Sequence, residues 1–501
     1  MRSYAKYLLA LVSPALSVLP LAADTPQGGS AASGGVYSLE ECRALALENN
    51  KEIMVRAEQA RKAGYQKKEA FAAYLPALDF AGGYTYNQKE ISILSEDQHL
   101  PVQNFNLQTQ KYEFSVVTNP ATGQPVLQPN GQPIPTQTAL LPKESLQYNI
   151  HNVFFGAVTL TQPIFMGGKI VAMNRLADIN RKVNDKLLEN EGQNIIYAVD
   201  AAYWTVVSLH AKHRLAISYV NLLDSLDRNV RLMVEQGVAT RSDLLSVDVK
   251  LNEANVDLLK VENGLSLSRM ALAQVCGLPV NSQMRVADES DTVPQADTTA
   301  EIASHYDMEQ VYASRADLEA LALGVEARAQ QAAVARSEMM PNLALVGAYS
   351  FSNPNMFNGF SRSFSGAFSV GVMLKIPIWH WGGSYNKYRA AKSDRTIMEL
   401  QLQDAREMVD LQVSQASYKA KEAVKTFQTT CANMAKAEEN LRTAQLGFRE
   451  GVVTSDDVMA AQTAWLKANS ERIDAAIDVR LCDVYLQKVL GRLPYDVNNE
   501  D

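Results

Sequence analysis

Two stretches of this 501-residue chain give the backbone no local reason to stop being helical. Residues 384–446 contain neither glycine nor proline, and residues 169–236 contain no proline and one glycine, Gly192. At 1.5 Å per residue, continuous helices of that length are rods roughly 100 Å long. Globular domains, whose helices average about 11–12 residues, do not use them. Patterns about half as long follow at 242–276 and 456–490, and shorter helical patterns at 38–75 and 307–340 each carry one glycine (Gly64, Gly324) and run up to a proline. Two half-length helices end to end match one long one. The chain is therefore expected to build rods in which a continuous helix lies antiparallel to stacked short ones.

The rods come in two copies. At an offset of 265, LPALDFAGGYTY (75–86) lies over MPNLALVGAYSF (340–351). At 214 or 215, QPIFMGGK (162–169) lies over IPIWHWGGS (376–384) with one extra residue in the second, and at 214 EQGVATRSDLL (235–245) lies over REGVVTSDDVM (449–459). The fall from 265 to 214 leaves 51 extra residues in the first copy, a loop inserted at about 87–150. The organisation is then a signal peptide (1–23), a flexible leader (24–36), a first repeat (37–280), a linker (281–305), a second repeat (306–495) and a tail (496–501). Steps of three and four from Leu244 and from Val458 each land on nine apolar or cysteine residues in ten, a seam sustained over more than four heptads. That is coiled-coil packing.

Between the helices the period changes from 3.6 to 2. In SFSGAFSVGVMLKI (363–376), Phe364, Gly366, Phe368, Val370, Val372, Leu374 and Ile376 fall on one face and small or polar residues on the other. Leu343 to Phe351 and Leu78 to Tyr86 repeat the alternation, and Phe154 to Leu160 repeats it less cleanly. A half-buried strand of a soluble sheet alternates in the same way. Here each copy offers only a hairpin between rods that cannot cover its greasy face, which suits a lipid-facing β-barrel. Trp379 and Trp381, just past the fourth strand, stand where an interfacial aromatic girdle belongs. Four strands cannot close a barrel, since the smallest transmembrane barrels have about eight. Several chains must contribute, and only three or more leave room for a wide water-filled pore.

Residues 1–23 (MRSYAKYLLALVSPALSVLPLAA) have the basic start, apolar middle and small-residue end of a secretory signal. A membrane anchor is the alternative, disfavoured by an apolar run short of the ~20 residues that span a bilayer. With 47 basic and 55 acidic residues the chain carries −8, and loss of Arg2 and Lys6 with the signal would leave −10. Nucleic acid is thereby an unsuitable partner. The four cysteines (Cys42, Cys276, Cys431, Cys482) have no CxxC or metal-ligand spacing. His210 and His213 could share a helix face, but two ligands alone do not make a metal site. The glycine pairs 167–168 and 382–383 read as strand-to-helix turns, with no phosphate-loop pattern around them. No cofactor or catalytic group is indicated.

The paired hairpins with their prolines, the turns QPIFMGGK and IPIWHWGGS, and the turns GVATRSDLL and GVVTSDDVM together resemble the TolC-like outer-membrane efflux proteins over nearly all of residues 36–495. The resemblance implies a mixed α+β membrane protein. Three protomers would build a twelve-stranded barrel in the outer membrane, continued by a helical tunnel across the periplasm. A periplasmic adaptor (membrane fusion protein) and an inner-membrane pump would feed it, in efflux or type I secretion. It also places the periplasmic gate at the start of the helix after each turn, on Asp457 and Asp243, with Asp456 alongside. Three carboxylates converging there would raise one another's pKa values. Where some members carry a second carboxylate, this chain has Ala460 and Ser246.

Gly237, Thr240, Gly451 and Thr454 mark the turns that would form the closed tip and meet the adaptor. Capping alone would also explain them, with Ser242 or Asp456 as N-caps. The inserted loop, rich in proline, glutamine and asparagine, reads either as an extracellular cap on the pore mouth or as a disordered surface loop. A periplasmic coiled-coil or adaptor protein without a pore is the competing function, and a secreted enzyme a third that no motif supports.

Overall fold

The computed structural model describes residues 35–282, 284–290, 306–356 and 361–495. The expected signal peptide and tail, and most of the leader and linker, lie outside them. The chain divides into two compact units: Lys62–Lys182 with Ala322–Leu400, and the described residues of Met1–Arg61, Val183–Leu321 and Gln401–Asp501.

In chain order the main elements are β1 (Val36–Tyr37), α1 (Leu39–Asn49), α2 (Lys51–Ala72), β2 (Ala77–Tyr86) and seven further strands, β3 to β9, of which β9 is Asn152–Met166. Then come α3 (Lys169–Glu235), α4 (Arg241–Val275), β10 (Arg285–Val286), α5 (Met308–Ser314), α6 (Ala316–Ser337), β11 (Asn342–Asn353), β12 (Ser365–Lys375), α7 (Gly383–Arg449) and α8 (Ser455–Val489). The long helices α3 and α7 have 67 residues each, and α4 and α8 have 35 each. On α8 the heptad seam is mostly buried: Val458, Ala461, Ala468, Ala475, Val479, Leu486 and Val489 are buried, and Trp465, Arg472 and Cys482 half-buried.

The shorter helical patterns are not single helices. Each breaks, at Asn50 (φ −70°, ψ 128°) and at Arg315 (φ −88°, ψ 115°). Neither residue is a helix breaker, so the cause is a distant partner. Asn50 Nδ2 donates to the Val275 carbonyl at 2.8 Å, and Arg315 Nη1 donates to the Val489 carbonyl at 3.1 Å. Those carbonyls close α4 and α8, where the last helical C=O groups have no partner within the helix. Both helices then turn off through left-handed glycines, Gly277 (φ +73°) and Gly491 (φ +68°). A Cβ on Gly277 would lie 2.3 Å from the Asn49 carbonyl oxygen, and one on Gly491 would lie 2.7 Å from that of Ser314. Two helix ends thus dock on two helix breaks in the same manner.

A part of the expected leader and of the linker falls within the described residues. Val36–Tyr37 pairs in parallel with Arg285–Val286, and Ala287–Ser290 forms a 3₁₀ turn. Helix α1 is fixed by a side-chain pair: Arg43 Nε donates to Asp200 Oδ1 at 2.7 Å, and Arg43 Nη2 bonds Oδ2. Behind it lies a core of Cys42, Ala46, Val199, Tyr203, Leu272, Cys276 and Met284.

In the other unit, β12, β11, β9 and β2 form one antiparallel sheet in that order. A bulge beside Pro163 re-aims β9 against β11. Strand β12 starts at Ser365, two residues into the expected segment 363–376, so Phe364 precedes the strand it was expected to lie in. The inserted loop is not structureless. It is a ladder of short antiparallel pairs, β3 (Ile91–Ser92) with β8 (Gln147–Tyr148), β4 (Gln98–Pro101) with β7 (Thr138–Leu141) and β5 (Gln103–Asn106) with β6 (Lys111–Phe114), continued by bridges such as Val116 to Pro135 and Leu127 to Pro133. Proline and glutamine composition hid this pairing, because prolines are tolerated in such isolated edge positions.

Candidate functional site

The turns α3–α4 and α7–α8 have one construction. Gly237 and Gly451 both sit at φ +75°, and the following residues donate back across the helix end, Val238 N to Met233 O and Val452 N to Gly447 O, both at 2.9 Å. This is the Schellman closure that glycine permits. The next helices start on Thr240 and Thr454, correcting the expected caps Ser242 and Asp456. Thr240 Oγ1 accepts from Asp243 N at 3.2 Å while Asp243 Oδ2 accepts from Thr240 N at 2.8 Å. Thr454 and Asp457 repeat the exchange at 3.3 and 3.2 Å. The signal was legible as T-x-x-D in both turns, a capping box with aspartate in place of the usual glutamate.

The structure brings the two turns together. Val247 and Val458 are buried in one apolar cluster, with Val234 and Leu244 from the first turn and Phe448, Val453 and Met459 from the second packed against it. Val238 and Val452, by contrast, are 71% and 79% exposed. Asp456 is exposed and outside the box. The gate candidates Asp457 and Asp243 therefore have a structural task already. In the protomer their carboxyls are held below the usual aspartate value, Asp457 by the Thr454 hydroxyl and then its backbone N–H, Asp243 by the Thr240 backbone N–H and then its hydroxyl. This is opposite in sign to the repulsion-driven rise expected of converging charges. Because the folded values are depressed, the boxes contribute stability above the ordinary aspartate pKa of about 3.9 and lose it as pH falls through the folded values. Both carboxylates are ionised at neutral pH.

In the sheet, register collects the alternating residues onto one face. Tyr349 pairs with Phe368, Gly347 with Val370 and Leu345 with Val372 on one side of β11, while Tyr349 pairs with Val158 on the other; β9 then pairs Val158 with Phe80 and Leu160 with Leu78. Aromatic rings on this face lie over glycines: a Cβ on Gly156 would lie 2.5 Å from the Phe351 ring. Phe364, Phe368, Val370, Val372 and Leu374 are all exposed, Phe368 at 72%. Among the described residues, strands β2 and β12 each have one neighbour, so both edges of the sheet present unpaired backbone groups.

Trp379 and Trp381 pack edge to face, with ring centroids 5.8 Å apart. Trp381 takes a left-handed φ of +50° and Gly382 one of +75°, matching Gly167 (+61°) and Gly168 (+85°) at an offset of 214. The turns therefore align without the extra residue that the sequence comparison inserted. A tryptophan holds a conformation that costs an L-residue roughly 1–2 kcal/mol, where the first turn uses glycine.

His213 Nε2 lies 3.3 Å from Glu262 Oε1, and no three His, Cys, Asp or Glu side chains among the described residues converge on a metal position. No helix among the described residues is long and apolar enough to cross a membrane, which says nothing of a β-barrel.

A family model for outer membrane efflux proteins matches residues 143–278 and 308–492. Several solved structures share the fold. A membrane protein from Pseudomonas aeruginosa aligns with a TM-score of 0.68 at 14% identity, over 90% of this chain and 92% of its own. The Campylobacter jejuni CmeC outer membrane channel aligns at 0.67 and 15%, over 91% and 85%. The outer membrane protein VceC from Vibrio cholerae aligns at 0.67 and 15%, over 90% and 96%. No curated protein sequence matches the chain.

Proposed function

This chain belongs to the outer membrane efflux protein family, and on that premise we propose that three copies form a passive exit duct through the outer membrane, reaching into the periplasm. The observation that carries the reading is the open sheet. Its greasy face is largely exposed, and among the described residues each of its two edge strands has one open side. Lipid tolerates no open sheet edge, so the edges must be closed by other chains. Three four-stranded sheets supply twelve strands, wide enough for a water-filled pore. The long helices, with their heptad seam and elements recurring at an offset of 214 as internal repeats, continue the wall. A periplasmic adaptor and an inner-membrane pump supply cargo and energy, so the duct itself has neither catalytic group nor cofactor. Efflux and type I secretion would use the same conduit.

The strained Trp381, paired with Trp379, supports an interfacial girdle: backbone strain persists where a side chain is needed for its position. Gly237, Thr240, Gly451 and Thr454 hold the turns that meet the adaptor, and Asp457, Asp243 and Asp456 place charge at the tip. Purification from outer membranes in detergent, with mass measurement and planar-bilayer conductance, tests the assembly. A monomeric species that forms no pores overturns it.

Two substitutions test the surfaces. Phe368→Arg puts a charge on the lipid face and should cost about 2–4 kcal/mol near the bilayer midplane. Outer-membrane yield of trimer is expected to collapse, whereas Ser369→Arg, on the opposite face, leaves assembly intact and alters conductance. Equal yields of the two variants would remove the lipid assignment. Asp457→Asn keeps a side-chain acceptor for the capping box but deletes one charge per protomer. Cation preference in single-channel recordings should weaken, and an unchanged reversal potential moves the gate elsewhere.

A further inference from the structure

Four cysteines are present, and two of them meet. Cys42 lies in α1 and Cys276 caps the end of α4, 234 residues apart in sequence. Both are fully buried, in the core that also holds Ala46, Leu272, Ala273 and Met284. The Cys276 thiol donates to the Cys42 backbone carbonyl at 3.6 Å, so the two cysteines are in contact. That contact, followed by burial, pushes the Cys42 thiol far above its ordinary value. Cys431 and Cys482 are only half-buried and sit on separate helices, α7 and α8.

We infer that Cys42 and Cys276 close into a structural disulfide in the periplasm, stapling α1 to the end of α4. The inference rests on the reading that this unit faces the periplasm, an oxidising compartment where disulfides persist. Since both sulfurs are sealed in the folded unit, closure occurs as the chain folds. One thiolate attacks the disulfide of an oxidising protein to give a mixed disulfide. The second thiolate then displaces that protein from the first sulfur. One S–S bond forms and one breaks; two protons and two electrons pass to the oxidant, which leaves as a dithiol.

The test is intact mass and thiol mapping on the full-length protein taken from outer membranes, with thiols blocked by N-ethylmaleimide in denaturant at lysis. Staple formation predicts adducts on Cys431 and Cys482 only, a proteolytic fragment joining the Cys42 and Cys276 peptides, and four adducts after reduction. Reduction should lower the thermal midpoint by about 5 °C, as expected for a bond closing a long loop. Cys42→Ala with Cys276→Ala should match the reduced protein and no longer respond to reductant. Four adducts without reduction overturn the staple. Oxidised glutathione applied to that protein while it refolds then locates the fault: closure in vitro means the compartment reading failed, and no closure means the geometry did.

Discussion

Arg43→Met is expected to destabilise its unit by about 3–5 kcal/mol, because it leaves a buried carboxylate without its counter-charge. Asp200 has no exposed surface, and both of its oxygens are bonded to the Arg43 guanidinium in a bidentate pair. Methionine preserves the aliphatic stem, so the loss reports the charge rather than the packing. The double variant Arg43→Met, Asp200→Leu removes both charges and should recover most of the loss, since a buried pair replaced by apolar groups of similar volume is often near neutral. Thermal unfolding in detergent, read by circular dichroism, gives all three values. A single variant no less stable than the double would show that Asp200 finds water or another partner, and α1 would then owe its position to the β1–β10 pairing and the core beneath it.

The second large effect is expected at Gly277. An alanine there must hold φ +73°, which costs an L-residue roughly 1–2 kcal/mol, and its Cβ would stand 2.3 Å from the Asn49 carbonyl oxygen. That neighbour is backbone and cannot rotate away. Overpacking typically adds about 1–3 kcal/mol, so Gly277→Ala should lose about 2–5 kcal/mol. It should also loosen the Asn50 to Val275 bond that terminates α1. Gly237→Ala is the control: it has the same left-handed φ, +75°, but nothing within 4 Å of its Cβ. It should lose only the conformational part, roughly 1–2 kcal/mol. Equal losses at the two positions would mean that the docking of the α4 end on the α1–α2 break is loose enough to absorb a methyl group.

Both expectations arise where sequence reading stopped short. The pattern at 38–75 gave no reason to break at Asn50, and that at 307–340 none to break at Arg315, because the groups that break them are the Val275 and Val489 carbonyls, 225 and 174 residues away. Ser242 and Asp456 were plausible caps by residue type, yet Thr240 and Thr454 hold the position, since a reciprocal bond with Asp243 and Asp457 satisfies two backbone donors instead of one. The inserted loop offered composition in place of periodicity, and composition carries no register. Trp381 shows the converse failure: alignment by glycine pairs shifted the turn by one residue, because backbone φ, and not residue identity, is what the two turns share.

What the sequence determined alone was whatever depends on neighbours a few residues apart. Helices of 67 and 35 residues follow from the absence of breakers and the heptad seam, and the faces holding Phe80, Tyr349 and Phe368 follow from period-two alternation. Tertiary structure decided which of those faces share one sheet, where short helices break, and that Cys42 meets Cys276. Each of these joins groups whose separation in sequence is tens to hundreds of residues. Local geometry fixes a side chain's direction, but only chain closure fixes what it meets.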